Sequence, residues 1–446
     1  MNSILILNAR IVNEGKVFEG DVFTKGHYIE KIGPDLQSQA ADRVVDAKGH
    51  ILLPGVIDDQ VHFREPGLTH KGTILTESRA AVAGGVTSFM EMPNTVPPAF
   101  TRELLEEKYQ IAANTSLANY SFYIGASNDN LEEVLKADVN RICGLKIFMG
   151  SSTGNLLVDD GKTLEGFFSR FPSLIATHCE DEPTIRKNTT EFREKYGEDM
   201  PVSYHPLIRS EAACYQSSSF AVGLAKKYGT RLHVLHISTE REISLFDNAT
   251  PLEKKKITAE GCVHHLWFND QDYERLGMLI KWNPAIKTAA DQKAILNAVL
   301  DNHLDVIATD HAPHTLEEKE NSYFNAPSGG PLVQHSLPAM LEFYRLGKLS
   351  LKNIVQKMCH NPAIAFQIQK RGFIREGYFA DLVLVDLNKP WAVKKENIQS
   401  KCAWSPFEGV TFRSAVTHTI VSGHLAYAEG QFDDRSRGLR LEFDRN

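Results

Sequence analysis

The chain of 446 residues lacks most of the features that would place it in a specialised class. Its six cysteines (Cys143, Cys179, Cys214, Cys262, Cys359 and Cys402) lie far apart and form no CxxC pair. That spacing argues against a structural zinc knot and a disulfide framework, and for a reducing compartment. No apolar run approaches the ~20 residues that span a bilayer. The start, Met1 to Arg10, has no basic segment before its apolar residues and alternates straight afterwards, so it predicts a strand and not a signal peptide. Basic residues are in the minority, 49 Lys and Arg against 56 Asp and Glu, for a net charge of -7. Neither nucleic acid nor an anionic membrane is expected as a partner. There is no internal repeat, no low-complexity tract and no GxGxxG after an apolar run. A cytoplasmic enzyme acting on a small molecule is the expectation, with a homodimer the base-rate oligomer.

Hydrophobic residues at 42% and charged residues at 24% are ordinary for a globular protein, and the length allows more than one domain. Up to about residue 53 the chain shows short alternating runs: Ile4 to Ile11, Val17 to Phe23, Tyr28 to Ile32 and Arg43 to Ala47. Period-two patterning between turns predicts antiparallel sheet. The same texture returns in Gly372–Ile374, Ala380–Asp386, Val416–Val421 and Leu425–Tyr427. The middle alternates buried strands with helical stretches. Candidate strands are Gly55–Val61, Thr87–Met92, Tyr120–Ile124, Gly144–Met149, Leu174–His178, Arg231–His236, Lys256–Glu260 and Leu304–Asp310. Helical periodicity marks Thr101–Ala113, Leu131–Ala137, Glu211–Tyr228 and Gln292–Asn302, and the charged stretch Asp181–Tyr204 reads as a solvated excursion. Eight strands, each followed by a helix or long loop, predict an α/β fold: a (β/α)8 TIM barrel over 54–358. A small flanking β-sandwich domain is expected from both termini, residues 1–53 and 359–446. An open doubly wound sheet competes, but the polar residues gather at many strand ends and not at one switch point.

Those strand ends carry the chemistry. The first closes on Gln60-Val61-His62-Phe63-Arg64 and the fourth carries Lys146. The fifth ends at His178, the sixth at His236 and the eighth at Asp310. Imidazoles and a carboxylate meeting at one barrel mouth make a ligand shell for Zn2+ or a similar divalent metal. Each residue also has a bland reading. A lone histidine at a strand end is usually a satisfied one, Lys146 could reach to water along its stem, and Asp310 could cap a helix. Joint occurrence at five strand ends favours the metal. Lysine is a poor ligand while cationic. A buried Lys146 with a lowered pKa could instead add CO2 and become an anionic carbamate that bridges metals.

The long stretches Val61-His62-Phe63-Arg64-Glu65-Pro66-Gly67 and Ala308-Thr309-Asp310-His311-Ala312-Pro313-His314 resemble the dihydroorotases of the cyclic amidohydrolase superfamily, relatives of dihydropyrimidinases and allantoinases. Shorter matches are Met92–Thr95, Gly144–Lys146, Thr177–Glu180, Leu235–Thr239, Thr258–Glu260 and Lys281–Pro284, so the resemblance covers nearly the whole chain. It implies metal ligation by His62, a carbamylated Lys146, His178, His236 and Asp310, with one or two Zn2+ ions. It implies that Arg64, Asn94 and His314 hold a substrate carboxylate, with Asn283 near the ring and Asp310 as general base. The implied reaction is reversible hydrolysis of (S)-dihydroorotate to N-carbamoyl-L-aspartate in pyrimidine biosynthesis. From the residues alone, Arg64 offers a forked donor suited to a carboxylate, though a salt bridge to Glu65 is open to it. Asn94 could equally be an Asx-turn residue.

Three positions depart from the pattern of these relatives. Gln60 stands where His-x-His is usual, Ser328 to Pro338 differs from the common Gly-rich stretch, and Lys287 replaces an arginine. A Gln oxygen is a weaker zinc donor than imidazole nitrogen, so the metal count hangs on Gln60. Two other functions stay open: an allantoinase or dihydropyrimidinase-like enzyme, whose substrates lack the ring carboxylate, and a metal-poor scaffold protein.

Overall fold

The computed structural model describes residues 3–150 and 154–445. Eight parallel strands follow one another around a barrel: Val56–Val61, Val86–Glu91, Asn119–Gly125, Gly144–Phe148, Leu174–His178, Arg231–Val234, Ile257–Cys262 and Val306–Ala308. A parallel bridge between Val61 and His311 closes the ring, with His62 N–H donating to the His311 carbonyl at 2.7 Å. Almost every strand residue is buried, as expected where helices cover the outer face and side chains fill the inner one. The helices begin where the sequence supplies caps. Ser210 accepts from Ala213 N–H at the start of Glu211–Tyr228, and Gly229 ends that helix in the left-handed region at φ 69°. Thr101 and Thr288 cap Arg102–Thr115 and Ala289–Leu300 in the same way.

A separate nine-stranded sheet is assembled from both ends of the chain. Ile51–Pro54 lies at its centre, between Ser3–Asn13 and Leu382–Asp386. Antiparallel pairing was the expectation for the N-terminal strands, and the structure corrects it in part. Arg43–Asp46 and Ile51–Pro54 both run parallel to Ser3–Asn13, because residues 34–42 carry the chain back before it extends again. Gly372–Ile374 is not a strand: Gly372 turns at φ 77°, and a Cβ there would lie 2.5 Å from the Cys359 carbonyl oxygen. The excursion after the fifth strand is a helix, Glu182–Tyr196, capped by Asp181 and burying only Ile185. No helix among the described residues is long and apolar enough to cross a membrane.

One buried ion pair joins sheet to barrel. Arg371 and Asp381, 2% and 3% exposed, meet at 2.5 Å. The other Asp381 oxygen accepts from Asn119 on the third barrel strand at 2.9 Å and from Ser422 N–H at 2.8 Å. Removing one partner of such a pair strands a charge in the interior, at a cost of about 3–5 kcal/mol. Asp381→Ala is therefore expected to lose about that much stability in urea unfolding, and a loss below about 1 kcal/mol would show the pair to be dispensable.

Candidate active site

The polar strand ends converge on a cavity of about 380 Å3 at the C-terminal mouth of the barrel. Gln60, His62, Arg64, Asn94, Lys146, His178, His236, Asn283, Asp310 and His314 all line it, whereas Lys287 lies apart, on Ser238 at 2.9 Å. Three of them leave their strands through left-handed backbone: Arg64 at φ 73°, His236 at φ 40° and Asp310 at φ 49°. Such conformations cost a non-glycine residue on the order of 1 kcal/mol or more and persist where the surroundings over-determine them. Here they swing three side chains into one mouth. A larger cavity of about 890 Å3 lies elsewhere, and several of its charged groups are paired, Lys255 with Asp305 at 2.7 Å and Arg375 with Glu14 at 2.5 Å.

One side of the mouth is built from the fourth, fifth and sixth strands. His178 Nδ1 faces His236 Nε2 at 2.9 Å. The other His178 nitrogen, Nε2, lies 2.8 Å from Glu180, which in turn receives Arg209 at 2.5 Å. Burial opposes the charge on Glu180, but Arg209 and His178 hold its carboxyl down at about 2. An ionised carboxylate accepts only, so His178 Nε2 carries the proton and Nδ1 presents its lone pair to the cavity. Burial, and then neighbouring His178, holds His236 well below the usual imidazole range, which leaves it neutral and able to ligate. Lys146 Nζ and His236 Nδ1 are buried and have no hydrogen-bond partner among the described residues. Burial drives the Lys146 amine from the ordinary lysine value down to about 7, against the pull of Asp310.

The other side comes from the first and eighth strands and is internally paired. His62 Nε2 and Gln60 Nε2 each lie 3.1 Å from Asp310 Oδ1, and His62 Nδ1 lies 2.7 Å from Asn94 Oδ1. Gln60 turns its amide NH2, not its oxygen, toward the carboxylate, and the oxygen receives the Cys262 thiol at 3.7 Å. Chemistry fixes that orientation, since Asp310 accepts and the thiol donates. Arg64 donates through Nε to the Pro313 carbonyl at 3.0 Å and makes no salt bridge to Glu65, whose carboxylate instead receives Ile74 N–H at 2.8 Å. Asn94 does not spend its side chain on an Asx turn, because its oxygen serves His62.

A roof over the cavity was not legible from motifs. Lys319, 1% exposed, donates to the carbonyls of Pro327 and Gly329 at 2.9 Å each, and so pins the 327–330 segment. Gly330 permits the close approach: a Cβ there would come within 2.6 Å of the Trp282 ring. Deeper in the barrel lies a fully buried cluster of Asp59, His233 and Glu260, whose ligand-type atoms are all within 4.8 Å of one another. Burial alone would lower His233, but Asp59 and Glu260 outweigh it and carry the ring up to about 10. Glu260 also accepts from the backbone N–H of His236 at 3.0 Å, which ties this cluster to the mouth. Spacing was the available signal for both glutamates: Glu180 follows His178 by two residues just past the fifth strand, and Glu260 lies on the seventh. Arg209 gave none, because it arrives from a distant helix.

Neutral imidazoles, a carboxylate and unpartnered buried nitrogens around one cavity are a donor set that fits a divalent metal ion. The barrel and this donor set define a metal-dependent hydrolase class. Residues 170–426 match the profile of the amidohydrolase family, and residues 49–242 match a dihydro-orotase-like profile. The chain belongs to the amidohydrolase family. It is 33% identical to a dihydroorotase of Methanosarcina mazei, over 99% of this chain and 98% of that one. With a dihydroorotase of Pyrococcus abyssi it shares 32%, over 98% of each. Among solved structures, an L-hydantoinase (dihydropyrimidinase) from Arthrobacter aurescens superposes with a TM-score of 0.91 at 27% identity, covering 97% of this chain and 98% of that one.

Partners that orient a metal-ligating histidine are typically worth 10–100-fold in metal affinity. Glu180→Gln is expected to weaken metal binding by about that factor in a chelator-competition titration. An unchanged affinity would mean that Glu180 serves only to pair Arg209.

Proposed function

We propose that this chain catalyses the reversible hydrolysis of dihydroorotate to N-carbamoyl-L-aspartate, with residues 54–358 as the catalytic barrel. The observation that carries the reading is a cationic wall on the ligand-bearing cavity: Arg64 Nη2 lies 3.1 Å from His314 Nε2, beside Asn94. Those groups suit the carboxylate of the substrate ring, and dihydroorotase relatives at 33% and 32% identity support the assignment.

A divalent ion, zinc in this reading, would be held by His62, Lys146, His178, His236 and Asp310. When bound it supplies Lewis acidity, lowering the pKa of water to about 7 and polarising the ring carbonyl. Lys146, with its amine near 7, has a large neutral fraction that can add CO2; the nitrogen–carbon bond forms, a proton leaves, and the carbamate is an anionic ligand. Asp310 takes the proton from the attacking water and returns it to the departing ring nitrogen. Gln60 and His62, both directed at Oδ1, hold that carboxylate in position. Arg64, Asn94 and His314 anchor the carboxylate so that the ring carbonyl meets the attacking oxygen, and Asn283, with a buried and unpartnered Oδ1, faces the ring. A second reading, hydrolysis of a hydantoin or dihydropyrimidine, draws support from the fold likeness to L-hydantoinase.

Losing a charged hydrogen-bond donor costs about 1.5–3 kcal/mol, roughly 10- to 150-fold. Arg64→Met is expected to lower kcat/KM for dihydroorotate within that range and to leave dihydrouracil turnover unchanged; equal turnover of dihydroorotate by both proteins favours the second reading. Because Gln60 turns its amide NH2 toward Asp310, protein reconstituted with zinc and bicarbonate is expected to hold about one ion by elemental analysis. Gln60→His is expected to raise that count toward two.

A further inference from the structure

Lys71 lies seven residues beyond Arg64, past the turn that follows the first strand, and no motif drew attention to it. Leu68 N–H donates to the Arg64 carbonyl and Lys71 N–H to the Leu68 carbonyl, at 3.0 Å each, so the chain doubles back toward the mouth. Lys71 Nζ ends 3.0 Å from His314 Nδ1 and 3.0 Å from Glu318. Glu318 is itself fixed, since its second oxygen accepts from Thr315 N–H at 3.0 Å in a capping box. The His314 carbonyl receives the Trp404 indole N–H at 2.7 Å, which leaves the backbone no freedom to turn the ring away.

Two groups meet His314 Nδ1, Lys71 Nζ at 3.0 Å and, farther off, a Glu318 carboxylate oxygen at 3.4 Å, so the nearer ammonium sets the proton. An ammonium has three protons and no lone pair, so His314 Nδ1 must accept, and the ring proton belongs on Nε2. Nε2 lies 3.1 Å from the Ser328 carbonyl, which can accept it, and 3.1 Å from Arg64 Nη2, which cannot. Two donors that close, on the wall of one cavity, call for a shared anionic acceptor between them. The charged groups facing the ring are Arg64 from the first strand end, Lys71 from the turn, and Lys319 and Glu318 from the short helix Leu316–Lys319. Three cations against one carboxylate disfavour a second proton on the ring.

We propose that Lys71 is a positioning residue that sets the proton on His314, making the ring a neutral Nε2–H donor that meets the substrate carboxylate beside Arg64. Lys71 thereby makes the mouth selective for rings that bear a carboxylate. This rests on the reading of Arg64 and His314 as the carboxylate site, but not on the hydrolysis itself.

The test uses full-length Lys71→Met and Lys71→Arg proteins, checked for unchanged melting temperature. It measures binding of orotate and uracil by calorimetry and turnover of dihydroorotate. For Lys71→Met the expected results are a rise of about tenfold in orotate Kd and in dihydroorotate KM, with kcat moving less than KM and uracil binding unchanged. Lys71→Arg recovers most of the loss. Unchanged orotate affinity in the Met variant, equal losses for uracil, or no recovery with arginine would overturn the proposal. Orotate binding that depends on Lys71 in a protein unable to hydrolyse dihydroorotate would uphold Lys71 and defeat the hydrolysis reading.

Discussion

Closure of the barrel between its first and last strands is the constraint on which the mouth depends. Asp58 makes that seam: its carboxylate accepts from Thr309 Oγ1 at 2.6 Å and, more weakly, from the backbone N–H groups of Thr309 and Gln60. Two residues beyond Asp58 stands Gln60, one beyond Thr309 stands Asp310, and past Gln60 stands His62. Residues separated by some 250 positions in sequence meet within hydrogen-bond distance because the seam has a single register. A slip of one residue would turn these side chains to the opposite face. The price is a carboxyl group buried completely, with its pKa pushed by burial up to about 7.

The mouth divides along the same line. On the seam side each group named is already answered by protein: Gln60 by Asp310 and Cys262, His62 by Asp310 and Asn94. On the far side the answer is incomplete, with Lys146 Nζ and His236 Nδ1 buried and unpartnered among the described residues. Unpaired buried polar groups are costly in a folded chain, and their usual explanation is a function that needs them. The supporting ring of Glu180, Arg209 and Glu260 stiffens that far side from behind, so that its geometry does not wait on a ligand to be set.

The barrel was legible because its strands are short apolar runs that end in chemistry. Leu174–His178 and the helix Glu211–Tyr228 have the bounds that periodicity suggests, and most other strands differ by one or two residues. The ends of Arg231–Val234 and Val306–Ala308 come earlier than the apolar pattern, and the reason is functional. His236 and Asp310 break from extended backbone to enter the cavity, and no propensity scale encodes a left-handed histidine. Parallel pairing in the terminal sheet was hidden because alternation reports a face and not a strand direction. The site residues on strand ends were readable one by one. Their supports were not: Arg209, Lys319 and Lys71 are surface-type residues by composition, made structural only by where distant segments bring them.

The left-handed backbone at Arg64, His236 and Asp310 has a consequence for how this protein can change. At most positions a substitution that loses function also loses stability or leaves it alone. At these three one term runs the other way, because glycine adopts the same backbone without the steric penalty, while the hydrogen bonds of Arg64 and Asp310 oppose the exchange. The mouth of the barrel is thus a place where foldedness and use compete within single residues.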